Sequence, residues 1–149
     1  MITKENKKYI LVMFNIIAII NFLIPPVLKA EVMFIVNKSV KEDTLSKSQI
    51  QKIYLGHTLV WPDGELIKLV TQEGTDIQKE FTRTYIRKSE AQFSRYWRKL
   101  LFTGKGILPN PFFTEKEIIK YVANTKGAIG YISPQAATKD IKIINVSDN

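Results

Sequence analysis

The sequence predicts an α/β domain, a three-layer sandwich with helices packed on a largely parallel sheet. Three observations carry that prediction. Val32-Met33-Phe34-Ile35-Val36 is a continuous apolar run, the pattern of a strand covered on both faces. Ser46/Gln49, Ser89/Gln92 and Thr114/Glu117 each place a hydroxyl three residues before Gln or Glu, the capping-box signature of a helix start. Strand-like and helix-like segments then alternate to the end of the chain.

The elements follow in order. Val32 to Val36 is the first strand. The helix opened by Ser46 has the apolar face Ile50, Ile53 and Tyr54, and Gly56 closes it as a left-handed cap. Pro62-Asp63-Gly64 is a turn, and Leu66 to Val70 the next strand. A second helix starts near Asp76 with Ile77, Phe81 and Tyr85 at intervals of four. The helix capped by Ser89 buries Phe93, Trp97, Leu100 and Leu101, and the one capped by Thr114 buries Ile118, Ile119 and Val122. Ala128 to Ile132 and Ile141 to Val146 complete the sheet.

Residues 1–30 read as an export signal instead of fold. Lys4, Lys7 and Lys8 precede the apolar run Tyr9 to Ile24, Pro25-Pro26 breaks it, and cleavage is expected after Ala30. An uncleaved anchor is the alternative, but the sixteen residues of the run reach only ~24 Å against a ~30 Å hydrocarbon core. The chain has 149 residues and a formal charge of +8. Setting aside residues 1–30, with Lys4, Lys7, Lys8 and Lys29 against Glu5, leaves 119 residues at +5. That suffices for one core, in a periplasmic or otherwise secreted domain over 31–149 with no integral span after cleavage.

Enzymatic constellations are sparse. There is no cysteine, and His57 alone follows a helix-ending glycine, where a loop histidine is the simpler reading than a general base. Acidic residues scattered among lysines form no metal set, and Gly104-Lys105-Gly106 lacks the Ser or Thr of a phosphate loop. The expectation is a non-enzyme with no cofactor. Lys79, Arg83 and Arg87 recur every four residues, ~200° from Ile77, Phe81 and Tyr85. They form either a solvated face or a surface for an acidic partner; Arg95, Arg98 and Lys99 repeat the pattern on the next helix. Aromatics on the buried faces weigh against nucleic acid. Gly74-Thr75-Asp76 lies between a strand end and a helix start, where Thr75 serves as a plain N-cap or touches a bound oxyanion.

Leu45-Ser46, Ile50, Ile53-Tyr54-Leu55-Gly56, Trp61 and Gly64 resemble a segment of periplasmic phosphate-binding proteins of ABC transporters. Tyr96-Trp97, Phe102-Thr103-Gly104 and Lys126-Gly127-Ala128-Ile129-Gly130-Tyr131-Ile132 are similar to later segments of that family, in the same order. The resemblance implies one lobe of a type II periplasmic-binding-protein fold, with phosphate or another small oxyanion as ligand and a membrane permease or sensor as partner. Aligned on Phe81, it places the family's ligand arginine at Thr71, its aspartate at Glu73 and its Ser-Gly-Thr at Thr75-Asp76-Ile77. The implied oxyanion residues are therefore Thr71, Glu73, Gly74 and Thr75, with Lys79, Arg83 and Arg87 as an interaction face. Without the arginine, and with Asp76 added, poor phosphate affinity is expected.

Overall fold

The computed structural model describes residues 30–104 and 108–148, so the export-signal reading of residues 1–29 lies outside the described residues. β1 (Met33–Val36), β2 (Thr44–Ser46), β3 (Lys68–Gln72), β4 (Asn110–Phe112), β5 (Ala128–Ile132) and β6 (Lys142–Ser147) form one sheet, in the order β2-β6-β1-β5-β3-β4. β2 pairs with β6, and β3 with both β4 and β5, in parallel; β1 is antiparallel to β5 and β6. Five strands thus share one direction, and β1 alone runs against them. A both-faces-buried apolar run reads the same in either direction, so the sequence carried no sign of the reversal.

Four α-helices flank the sheet: α1 (Lys47–Tyr54), α2 (Asp76–Phe81), α3 (Glu90–Phe102) and α4 (Glu115–Asn124). Each expected capping box is present in reciprocal form, at Ser46/Gln49, Ser89/Gln92 and Thr114/Glu117. Each satisfies two backbone donors that would otherwise lack partners. α1, α2 and α3 cover one face, where Phe34, Tyr54, Phe81 and Tyr131 form an aromatic cluster, with Phe81 and Tyr131 stacked at 4.0 Å. α4 covers the other face, with Ile118 and Val122 on Ile35, Val70 and Ile132. The three-layer arrangement follows from β1, whose Phe34 and Val36 face one cluster while Ile35 faces the other.

Some details differ from expectation. β2 and β4, the two edge strands, carry no apolar run, and Pro111 suits only an edge because it has no N–H to donate. The strand expected at Leu66 begins at Lys68, and Leu66 instead bridges Val60 across the Pro62-Asp63-Gly64 turn. Leu100 is half-buried and Leu101 exposed, where both were expected to be buried. After Phe81 the helix widens into a π turn (Thr82–Ile86). There the Thr82 hydroxyl donates to the carbonyls of Gln78 and Lys79 at 3.0 and 3.1 Å, in competition with the backbone ladder. The widening buries Ile86 and leaves Tyr85 half-buried.

Candidate functional site

β3 delivers its last residues to a cleft of about 420 Å³ between the strand, α3 and the segment entering β4. Thr71 and Glu73 line it, joined by Gln78 of α2, Glu90, Ser94, Trp97 and Arg98 of α3, and Asn110 of β4. Thr71 and Gln78 are buried, while Glu73 and Arg98 are exposed. Gly74 and Thr75 lie outside the lining. Gly74 turns the chain with φ +72, and the Thr75 hydroxyl is occupied as the α2 N-cap, accepting from the Gln78 amide at 3.1 Å. Asp76 in the first turn of α2 pairs with Lys79 at 2.9 Å. The structure therefore brings together Thr71 and Glu73 of the expected set and gives Thr75 a capping role.

Gln78 is positioned by a relay. The Gln72 backbone N–H donates to the Tyr131 hydroxyl at 3.2 Å, and that hydroxyl donates to Gln78 Oε1. Burial pushes the Tyr131 phenol well above its ordinary value; the Gln72 amide opposes this, and the charges of Glu90 and Glu73 add to it. Glu73 and Glu90 line the same cleft, and Arg98 brings a guanidinium to it. Sequence reasoning named Arg98 only as part of a basic face and missed Gln78, Glu90 and Ser94. Those residues acquire meaning when strands and helices distant in sequence meet, and no local pattern marks them.

The other expected residues also assemble. Lys79, Arg83 and Arg87 line an open groove of about 560 Å³ with Lys88 and Glu90. Much of their charge is already matched: Lys79 pairs with Asp76, and Arg83 reaches the largely buried Glu80 carboxylate at 2.5 Å. Asp76 raises the Lys79 ammonium above its ordinary value, as a bonded counter-charge should. Arg87 adopts a left-handed conformation with φ 56, closing the π turn. His57 is exposed, 3.4 Å from the Tyr96 hydroxyl, and that hydroxyl donates to the Leu55 carbonyl. Among the described residues no group of three or more His, Asp or Glu is placed to hold a metal, and no helix is long and apolar enough to cross a membrane.

No protein-family model and no curated protein sequence matches the chain. Solved structures do match its fold. An ABC-type phosphate transport receptor from Vibrio cholerae superposes with a TM-score of 0.60 at 17% identity, over 78% of this chain and 46% of the receptor. A phosphate ABC transporter substrate-binding protein from Clostridium perfringens, solved with bound phosphate, gives 0.60 at 19% identity over 78% and 45%. A phosphate-binding protein from Stenotrophomonas maltophilia gives 0.61 at 18% identity over 79% and 39%. The chain spans less than half the length of these structures, and it shares the binding-protein fold with them.

Proposed function

We propose that this chain is an exported, non-catalytic binding lobe of the phosphate-receptor type, with the cleft beside Thr71 and Glu73 as its ligand site. The position of that cleft carries the reading: it lies over the C-terminal half of β3, and in α/β sheets ligands gather outside the carboxyl ends of strands. The fold likeness to binding proteins supports it. One lobe offers one wall, so a small oxyanion is held weakly, and a permease or sensor in the envelope is the natural reader of the loaded state. Free phosphate is a poor fit, because Glu73 and Glu90 face the site and Asp76 stands one residue after Thr75.

Calorimetry with phosphate and sulfate tests the reading. Heat that disappears in Thr71→Val, a near-isosteric change with little effect on stability, supports it; no heat from either anion or from any other small ligand at millimolar concentration refutes it.

One observation favours a second reading, an interaction module using Lys79, Arg83 and Arg87. A non-glycine residue held in the left-handed region, as Arg87 is beside this groove, is a strained feature of the kind that marks functional surfaces. Salt-sensitive capture of an acidic envelope partner that survives Arg87→Gly would dismiss it.

A further inference from the structure

The cleft holds two donors that find no acceptor among the described residues. Tyr131 has one hydroxyl proton, and since it accepts from the Gln72 N–H it spends that proton on Gln78. The Gln78 oxygen therefore faces Tyr131, and its NH₂ end faces the other way. Gln78 is 7% exposed and lines the cleft, yet its NH₂ has no hydrogen-bond partner among the described residues. Thr71, 6% exposed and on the same lining, likewise has no partner there for its hydroxyl. Both residues are more than nine-tenths buried while these two groups open on one cleft, so a ligand seated there meets two donors that the protein leaves unpaired.

The charges restrict what that ligand is. Among the described residues that line the cleft, Glu73 and Glu90 oppose the one guanidinium of Arg98, so that lining is net negative although the chain is basic. A phosphate dianion would satisfy the two donors but meet both carboxylates. A cation without an acceptor group would suit the carboxylates and leave Gln78 and Thr71 unpaired. Phe93, Trp97 and Leu108 supply an apolar wall, and about 420 Å³ lies within the ~300–1,000 Å³ range of small-molecule sites.

We infer that the cleft takes a zwitterion of the amino-acid class, with its carboxylate on the Gln78 amide, the Thr71 hydroxyl and Arg98, its ammonium between Glu73 and Glu90, and an apolar side chain against Trp97. This rests on the reading of the cleft as the ligand site and names the chemistry of that site.

Calorimetry on the full chain with L-leucine, L-phenylalanine and L-glutamine tests it, alongside 4-methylpentanoate, which lacks the amine, 3-methylbutylamine, which lacks the carboxylate, and phosphate and sulfate. The expected result is binding of at least one amino acid, weakened about tenfold or more when either charged group is missing. Glu73→Gln, at an exposed residue, and Glu90→Gln, at a half-buried one, should each weaken that binding by a similar factor. Gln78→Glu keeps an acceptor for Tyr131 but sets a like charge against the carboxylate, and should abolish binding with the fold intact by circular dichroism. Amino-acid binding indifferent to Glu73→Gln and Glu90→Gln would overturn the inference. So would silence from the amino acids with heat from phosphate or sulfate that Thr71→Val removes, although the cleft would then stand as an oxyanion site. Silence from every probe at about 10 mM overturns both readings.

Discussion

Gly127→Ala should be among the most damaging single-atom additions to this protein. Gly127 has φ +72, and a Cβ built on it would lie 2.2 Å from the Leu66 carbonyl oxygen and 2.9 Å from Glu65 Cγ. The glutamate can swing away, but the Leu66 carbonyl is backbone in the turn that Val60 and Leu66 close, and it must retreat by about an ångström. The Gly127 carbonyl accepts from Trp61 Nε1 at 3.0 Å and from the Lys68 amide at 3.1 Å, so any relative shift of the two segments strains both bonds. A left-handed alanine costs about 1 kcal/mol. Two weakened buried hydrogen bonds cost about 1 kcal/mol each. The sum, about 3 kcal/mol, is a large share of a typical 5–15 kcal/mol stability and corresponds to a fall in Tm of roughly 10 °C.

Gly74→Ala is the internal control, because Gly74 has the same φ of +72 with nothing within 4 Å of its Cβ position. It carries the conformational cost alone, about 1 kcal/mol, and the entropy that alanine removes from the unfolded chain is common to both variants. Urea denaturation followed by circular dichroism, with buried Trp61 as a fluorescent reporter beside Gly127, measures the difference. If the two variants agree within about 0.5 kcal/mol, the close approach of Leu66 to Gly127 is not a constraint on folding and the reasoning fails.

Three further outcomes are expected. Asn37→Ala should cost about 2–3 kcal/mol by urea titration, since the Asn37 side chain donates to the Val122 and Ala123 carbonyls at the end of α4 and accepts from the Ser39 amide. Arg87→Gly should raise stability by about 0.5–1 kcal/mol by relieving a left-handed non-glycine residue, measured as a higher Tm. Burial pushes the phenols of Tyr54 and Tyr131 well above their ordinary value of 10. A raised folded-state pKa gives stability that is full below pH 10 and lost as pH rises above it, by up to about 1.4 kcal/mol per pH unit for each tyrosine. Phenolate absorbance from these two residues should therefore appear only together with loss of far-ultraviolet dichroism.

Helix starts were legible in the sequence because a cap is a local device. Ser46, Ser89 and Thr114 each act on a residue three positions away, and every one of them does so in the structure. β1 and β5 were legible because burial on both faces enforces an apolar run. The edge strands were not, since half of each faces solvent and β4 contains a proline. The second helix misled at Gln78, Glu80 and Thr82, polar residues that are buried because each finds a bonding partner: Tyr131 for Gln78, Arg83 and Thr84 for Glu80, helix carbonyls for Thr82. A three-to-four periodicity counts apolar residues and is blind to such pairs. The cleft was half legible. Thr71 and Glu73 follow from the registered resemblance, whereas the orientation of Gln78 depends on a tyrosine 53 residues further along.

That division explains how the family resemblance and the site chemistry can point in different directions. The residues that carry the resemblance meet one another as scaffold. Tyr54 donates its hydroxyl to the Val70 carbonyl and accepts the Trp97 indole N–H at its own carbonyl; Leu55 accepts from Tyr96. Gly56 lies against the Trp97 ring, Trp61 donates to Gly127, and Gly130 gives Ile118 room to approach the sheet. Of these only Trp97 reaches the cleft, and it does so as an apolar wall. The motif set thus ties α1, α3, β3 and β5 into one framework, while the cleft proposed as the ligand site is lined by positions 71, 73, 78, 90 and 98. Of these, Glu73 and Arg98 are exposed and Glu90 is half-buried, so their charges can change with little effect on the framework. A shared fold therefore leaves the chemistry of a cleft open, and on the proposed reading Glu73, Glu90 and Arg98 of this chain disfavour free phosphate.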